Sequence, residues 1–321
     1  MHYLGEKDLE LLGVDWQALF QVMEDTLHSM DQGKYAQPIK PFLRYGNPTN
    51  RIIAMPAYVG GTVHQAGLKW VASFPDNIHN GLPRAHSIVV LNEADTGVPQ
   101  AIINTPLLSV LRTAAVSGMF LKHYGLANRP TQSVRIGIIG WGPIGRSHLQ
   151  MCLEAYGEAV SHVMIHDLRG VDVTQEQSVY NVQVSVAKSW EEVYAESDVV
   201  ITCTAAPKRY INQKPRAGML LLHVSLRDYE ADAIMQVDRI VVDDWEEVCR
   251  ENTDIERLSL EKGLQKSDTS NLIDIVCHDG FKDLKPEDTV LFSPMGMAVF
   301  DIAVGHYYWQ RAVAENKGTR L

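Results

Sequence analysis

Val134-Arg135-Ile136-Gly137-Ile138-Ile139-Gly140-Trp141-Gly142-Pro143-Ile144-Gly145 decides the fold of this chain. Val134–Ile139 reads as a buried strand, and a helix is expected from about Ile144 to Tyr156. Between them stands G-x-G-x-x-G, in the strand-to-helix setting that gives this motif its meaning. Gly140 permits the tight turn, Gly142 lets backbone approach a pyrophosphate, and Gly145 lets helix and strand pack closely. Trp141, Pro143 and Ile144 complete the loop, and the helix N-terminus offers free N–H groups and a positive dipole end to phosphates. Asp167 follows the next strand, 22 residues after Gly145, where a carboxylate can accept hydrogen bonds from ribose hydroxyls and repel a 2′-phosphate. NAD is therefore favoured over NADP, with Arg169 two residues on as the opposing feature. The alternative is a glycine turn in a doubly wound fold that binds no nucleotide.

Downstream, strands are expected at His162–His166, Asp198–Thr202, Met219–Val224 and Arg239–Asp243, with helices between. Fully apolar strands alternating with helices imply a parallel sheet covered on both faces. Ligands bind beyond the carboxyl ends of such strands. Thr202, Cys203 and Thr204 after the fourth strand are placed under the nicotinamide ribose, with an ordinary strand-to-loop turn as the alternative. Val224 and Ser225 close the following strand on the same edge and are counted with the cofactor residues. Asp228 lies just beyond, where a carboxylate can accept a proton or orient water; the alternative is a plain loop acid.

Upstream, the chain reads as mixed α and β. A helix is expected over Asp15–Met30, strands over Arg51–Pro56, Leu68–Ser73 and Ser87–Asn92, and a hairpin turn over Glu93–Pro99. A further helix has Thr105 as its cap, Pro106 at its first position, and Gly125 as its C-terminal left-handed turn. The last helix spans about Ala298–Glu315 and is expected to fold back onto the first domain. Lys69, Arg112 and Arg44 are cations in apolar settings, and buried cations need anionic partners. A substrate carboxylate would serve, and arginine can hold it bidentately; a structural ion pair or an exposed cation is the alternative. Lys40 and Arg84 could add positive charge if they converge with these three.

The 321 residues are 45% hydrophobic, enough for one large or two ordinary domains, and the formal net charge is −10 with no basic run, which argues against a nucleic-acid partner. There is no signal-peptide-like start and no stretch of membrane-spanning length. The four cysteines are scattered, against a disulfide framework or zinc site, and a reducing cytoplasm is expected. His64, His79 and His86 show no metal-ligand spacing, so no metal is expected. Trp245-Glu246-Glu247 reads as a solvated helix start.

These residues resemble the ornithine cyclodeaminase/mu-crystallin family over nearly the whole chain. The most specific stretch is Leu111-Arg112-Thr113-Ala114-Ala115 followed by the glycine motif; Lys69, Asp228 and Pro294-Met295-Gly296 match further. The resemblance implies a Rossmann doubly wound parallel sheet domain (126–299) and a mixed α+β substrate-binding and dimerisation domain (1–125 with 300–321), assembled as a homodimer. It implies that Lys69 and Arg112, with Arg44, bind a substrate carboxylate. Asp228 would handle protons and water, with Lys69 as the other candidate base, and Thr113 would contact the cofactor phosphates. Ile53-Ala54-Met55-Pro56 departs from the Glu-Leu-Met-Pro-like stretch of ornithine cyclodeaminases. Ser225-Leu226-Arg227-Asp228-Tyr229-Glu230 likewise departs from their Gly-Asp-Cys-Pro-Gly-Lys-like loop.

The chain is more similar to the branch that makes 2,3-diaminopropionate for siderophores and peptide antibiotics, through Gln37–Pro41, Arg51–Pro56, Val241–Trp245 and Ser293–Ala298. That branch oxidises N-(2-amino-2-carboxyethyl)-L-glutamate with NAD and releases 2-oxoglutarate. Ornithine cyclodeamination, another imine or amino-acid dehydrogenase activity, and a mu-crystallin-like binding role remain the alternatives.

Overall fold

The computed structural model describes residues 1–128 and 133–321. It divides into two compact units, Ser117–Met295 and a discontinuous unit made of Met1–Val116 with Gly296–Leu321.

The Ser117–Met295 unit is built on a parallel sheet in the order Gln183–Val186, Val160–His166, Val134–Ile139, Val199–Thr202, Leu220–His223, Val290–Phe292, Arg239–Val242, Ser270–Asn271. The chain starts at Val134–Ile139, steps outward one way, then returns to lay Val199–Thr202 on the other side. This is the Rossmann order, and its reversal opens a crevice at the carboxyl ends of those two strands. Ile136, Ile138, Val200, Ile201, Leu221 and Leu291 are all inaccessible to solvent, as strands covered on both faces require. Gln183–Val186, an unanticipated strand, is polar at alternate positions because it is the sheet edge and buries only Val184 fully. The helix Trp245–Val248 is less solvated than its acids suggest: Glu247 is buried and paired with Arg250.

The other unit holds a sheet in the order Thr319–Arg320, His2–Gly5, Pro99–Asn104, Ala85–Glu93, Gln65–Ser73, Arg51–Val59, Tyr35–Ala36, with Phe42–Leu43 also on Arg51–Val59. Its central pairs are antiparallel. Successive side chains alternate faces, so Met55, Ala57, Val59, Lys69, Val89, Leu91, Ala101 and Ile103 turn inward and are buried. The helix Ala298–Ala314 lies over this face. Ile302 reaches within 2.8 Å of where a Gly67 Cβ would stand, and Gly305 lies against Val89, Leu91 and Ile103. The helix Trp16–Asp31 begins at Asp15, whose carboxylate accepts from the Ala18 N–H.

The helix Leu107–Asn128 starts beside Thr105, whose Oγ1 accepts the Leu107 N–H. It runs through Gly125, which is helical and not left-handed. One glycine costs only about 1 kcal/mol in a helix interior, too little to stop a helix whose preceding turn buries Leu121 and Tyr124. Among the described residues no helix is long and apolar enough to cross a membrane.

Candidate active site

In the Ser117–Met295 unit the glycine loop has the form its sequence requires. Gly140 sits at φ +103, and a Cβ there would lie 2.5 Å from the Cys203 carbonyl oxygen; a Cβ on Gly145 would lie 2.2 Å from the Gly140 oxygen. At Gly142 a Cβ would meet nothing within 4 Å. Gly142 is also the N-cap of Pro143–Tyr156 and caps it with no side chain. The first N–H groups of that helix are thus left for an anion, with the dipole behind them. Trp141 donates its backbone N–H to Asp167 Oδ2 at 2.8 Å, while its buried indole Nε1 has no partner among the described residues. The Arg146 guanidinium stacks 4.8 Å over the Trp141 ring.

Asp167 also accepts the Arg169 backbone N–H at 2.9 Å and the Arg169 guanidinium at 3.2 Å. Burial opposes its charge, but the Arg169 contacts and the Trp141 N–H outweigh it and hold the carboxyl below its ordinary value. An open approach at Gly142, an uncapped helix start and an ionised acid just past the neighbouring strand fit a dinucleotide.

Asp228 is fully buried. Its carboxylate accepts hydrogen bonds from the Thr204 and Ser225 hydroxyls. His223 Nε2 lies 3.5 Å from Asp228 Oδ2 and 3.0 Å from Asp254 Oδ2, while His223 Nδ1 meets Ser293 Oγ at 3.1 Å. Asp254 Oδ2 in turn accepts the Asp228 and Tyr229 N–H groups at 2.9 and 2.8 Å and so fixes the loop. Burial works against a charged imidazole, but the two carboxylates outweigh it and push the His223 pKa up to about 9. Burial alone would raise Asp228; the His223 imidazolium and the two hydroxyls hold it below the ordinary carboxylate range instead. Asp228 is therefore a strong hydrogen-bond acceptor and a weak base. Thr204 and Ser225, expected at the cofactor, spend their hydroxyls on Asp228. Thr202 Oγ1 is buried without a partner among the described residues, and the Ser225 N–H bonds the Thr202 carbonyl at 3.0 Å, tying the two strand ends together beside Val224.

In the discontinuous unit, Lys69 and Arg112 meet on one acid that sequence reading did not single out. Asp301 Oδ1 accepts from Lys69 Nζ at 2.9 Å and from Arg112 Nε at 2.8 Å, and Asp301 is wholly buried. Its only sequence signal was a lone carboxylate in the apolar run Ala298-Val299-Phe300-Asp301-Ile302-Ala303-Val304. Lys40 is buried close by, its Nζ donating to the Gly296 carbonyl at 2.7 Å. Burial, partly offset by Asp301 and reinforced by Arg112 and Lys40, brings the Lys69 pKa down to about 8. Gly296 adopts φ +87, and a Cβ there would lie 2.6 Å from Arg112 Nη1.

Arg44 is not in an apolar setting. It is exposed, bonds the Pro48 carbonyl at 3.3 Å and lies over the Phe42 ring, because its neighbours Leu43 and Tyr45 are themselves exposed. Arg84 is also exposed. Thr113 donates to the Ser109 carbonyl at 2.7 Å. His64, Glu93 and Asp95 place possible ligand atoms within 4.8 Å of one another, but Glu93 already accepts the N–H groups of Asp95 and Thr96 in its turn.

The sequence matches the model of the ornithine cyclodeaminase/mu-crystallin family over residues 9–316. N-((2S)-2-amino-2-carboxyethyl)-L-glutamate dehydrogenase of Staphylococcus aureus is 32% identical over 100% of this chain and 98% of its own. The Thermococcus litoralis Delta(1)-pyrroline-2-carboxylate reductase, solved with NADH and L-proline, superposes with a TM-score of 0.86 over 100% of both chains at 21% identity. An archaeal alanine dehydrogenase dimer with bound NAD gives 0.85 over 100% of this chain and 98% of its own at 24% identity. The dinucleotide loop, the paired cations and the whole-length match lead to one conclusion: the chain belongs to the ornithine cyclodeaminase/mu-crystallin family.

Proposed function

We propose that this protein is an NAD-dependent oxidoreductase that converts N-(2-amino-2-carboxyethyl)-L-glutamate, NAD and water to 2-oxoglutarate, L-2,3-diaminopropionate and NADH, supplying a building block for siderophores or peptide antibiotics. The observation that carries the reading is the buried cluster of Lys69, Arg112 and Asp301. Two cations share one carboxylate there, and the terminal nitrogens of Arg112 make no hydrogen bond among the described residues. Buried charge of one sign is costly, and a substrate carboxylate paired bidentately with Arg112 relieves it. The Staphylococcus aureus relative, aligned end to end, supports the choice of substrate.

Met1–Val116 with Gly296–Leu321 is the substrate-binding unit in this reading, and Ser117–Met295 binds NAD through residues 140–145 and Asp167. NAD supplies the hydride acceptor. Arg112 fixes the carboxylate beside the reacting carbon and so sets the orientation of the C–H bond. Lys69, with a pKa of about 8, takes the proton from the substrate's secondary ammonium, since a base works best with a pKa near the operating pH. Asp228 accepts hydrogen bonds from water for imine hydrolysis, and His223 keeps it ionised. In this reading the protein acts as a homodimer, as the archaeal alanine dehydrogenase of similar fold does, with the apolar groove over Pro38, Pro56, Tyr58, Ala66 and Leu68 assigned to the contact.

The test is to follow NADH absorbance with NAD and synthetic substrate, with L-ornithine and L-alanine in parallel and mass spectrometry of products. NADH in equal amount with 2-oxoglutarate and 2,3-diaminopropionate is the expected result. Proline and ammonia from ornithine without NADH, or NADH consumption on a cyclic imine alone, would replace this substrate with another of the family's.

A further inference from the structure

We propose that Asp301 is a positioning residue: its single Oδ1 holds Lys69 Nζ and Arg112 Nε together, so that the terminal edge of the Arg112 guanidinium is presented to the substrate carboxylate. The role rests on the function proposed above for Lys69 and Arg112.

Four observations carry it. Asp301 reaches both cations with its own side chain fully buried, at 2.9 Å and 2.8 Å through the same oxygen. These three residues come from a strand, a helix and a second helix that are far apart in the chain, so one carboxylate fixes the spacing of groups that nothing local would fix. The contact to Arg112 also uses Nε, the inner nitrogen. A carboxylate placed to neutralise arginine as fully as possible would take two parallel N–H bonds; this one leaves Nη1 and Nη2 for another anion. Asp301 stands in the first turn of Ala298–Ala314, where the helix dipole favours a negative charge.

The charged groups acting on Lys69 are Asp301, Arg112 and Lys40. Asp301 raises its proton affinity, while Arg112 and Lys40 lower it. Removing the Asp301 charge must therefore lower the Lys69 pKa further, and removing Arg112 must raise it. An opposite charge at this range is worth about one to three pKa units.

The experiment reads Lys69 directly, by NMR titration of protein labelled with 13C at the lysine ε carbon, with Lys69→Met identifying the resonance. In Asp301→Asn the midpoint is expected to fall by about one to three units. In Arg112→Gln it should rise, which also serves if Asp301→Asn does not fold. The ascending limb of kcat/KM against pH should move to lower pH in Asp301→Asn, with KM for the carboxylate substrate raised more than kcat is lowered. A residue that merely supports the fold would lower activity at every pH and leave both midpoints in place; unmoved midpoints would overturn the proposal. A wild-type protein that turns over no substrate, with Lys69 shifting as stated, would sink the function and leave the Asp301 coupling standing.

Discussion

Arg112 divides its hydrogen-bonding edges, giving Nε to Asp301 and keeping its terminal nitrogens, and it can lie where it does only because Gly296 has no side chain. Gly296→Ala adds a Cβ at 2.6 Å from Nη1 in a residue at φ +87. The left-handed backbone alone costs about 1–2 kcal/mol, and the displaced guanidinium loses its aim. The expected outcome is a lower melting temperature together with a substrate KM raised by roughly tenfold or more, as loss of one charged hydrogen bond at about 1.5 kcal/mol would give; an unchanged KM would show that Gly296 serves the fold alone. Lys69 and Arg112 stood out in the sequence because a cation inside an apolar run needs an explanation. Asp301 meets the same criterion, but its apolar run is also that of a buried helix, and this pattern masks the acid. Arg44 misled for the opposite reason, since apolar neighbours in a short loop are no sign of burial.

The start of the helix Pro143–Tyr156 makes two glycines three residues apart answer to different demands. Gly145→Ala would set a Cβ 2.2 Å from the Gly140 oxygen, and backbone cannot yield as a flexible side chain does. A stability loss of about 1–3 kcal/mol is expected from overpacking, measured by denaturant unfolding. Gly142→Ala, at φ −88 with open space around its Cβ, should keep full stability and weaken NAD binding by roughly tenfold or more, measured by calorimetry. Stable protein with unimpaired NAD affinity would mean that the phosphates do not approach Gly142. Motif, strand and helix were all readable in advance because glycine spacing and a buried apolar strand are local signals. Gln183–Val186, Ser270–Asn271 and Val290–Phe292 were not: the first two are polar or short pieces at the two edges of the sheet, and the last is three residues long. The clasp of His223 and Asp254 on Asp228 was also hidden, since it joins residues brought together by the sheet and not by spacing.

The molecule carries one sheet with both faces covered and another whose second face, through Pro56, Tyr58, Ala66 and Leu68, is apolar and half-buried. Light scattering is expected to give twice the 35.9 kDa mass of the chain. Leu68→Asp, on the open face, should return the mass to that of one chain; a single-chain mass for the wild type would remove the dimer from the proposal. The discontinuous unit has a consequence for biosynthesis. Its sheet is complete in strands other than Thr319–Arg320 once Asn104 has been made, yet the covering helix Ala298–Ala314 is among the last segments synthesised. Until that helix leaves the ribosome, Lys69 and Arg112 lack the carboxylate that joins them and the inner sheet face stays bare. Because domains fold as units in the order they emerge, the Ser117–Met295 unit can finish first, and a nascent chain stalled before residue 298 would expose an apolar surface that chaperones recognise.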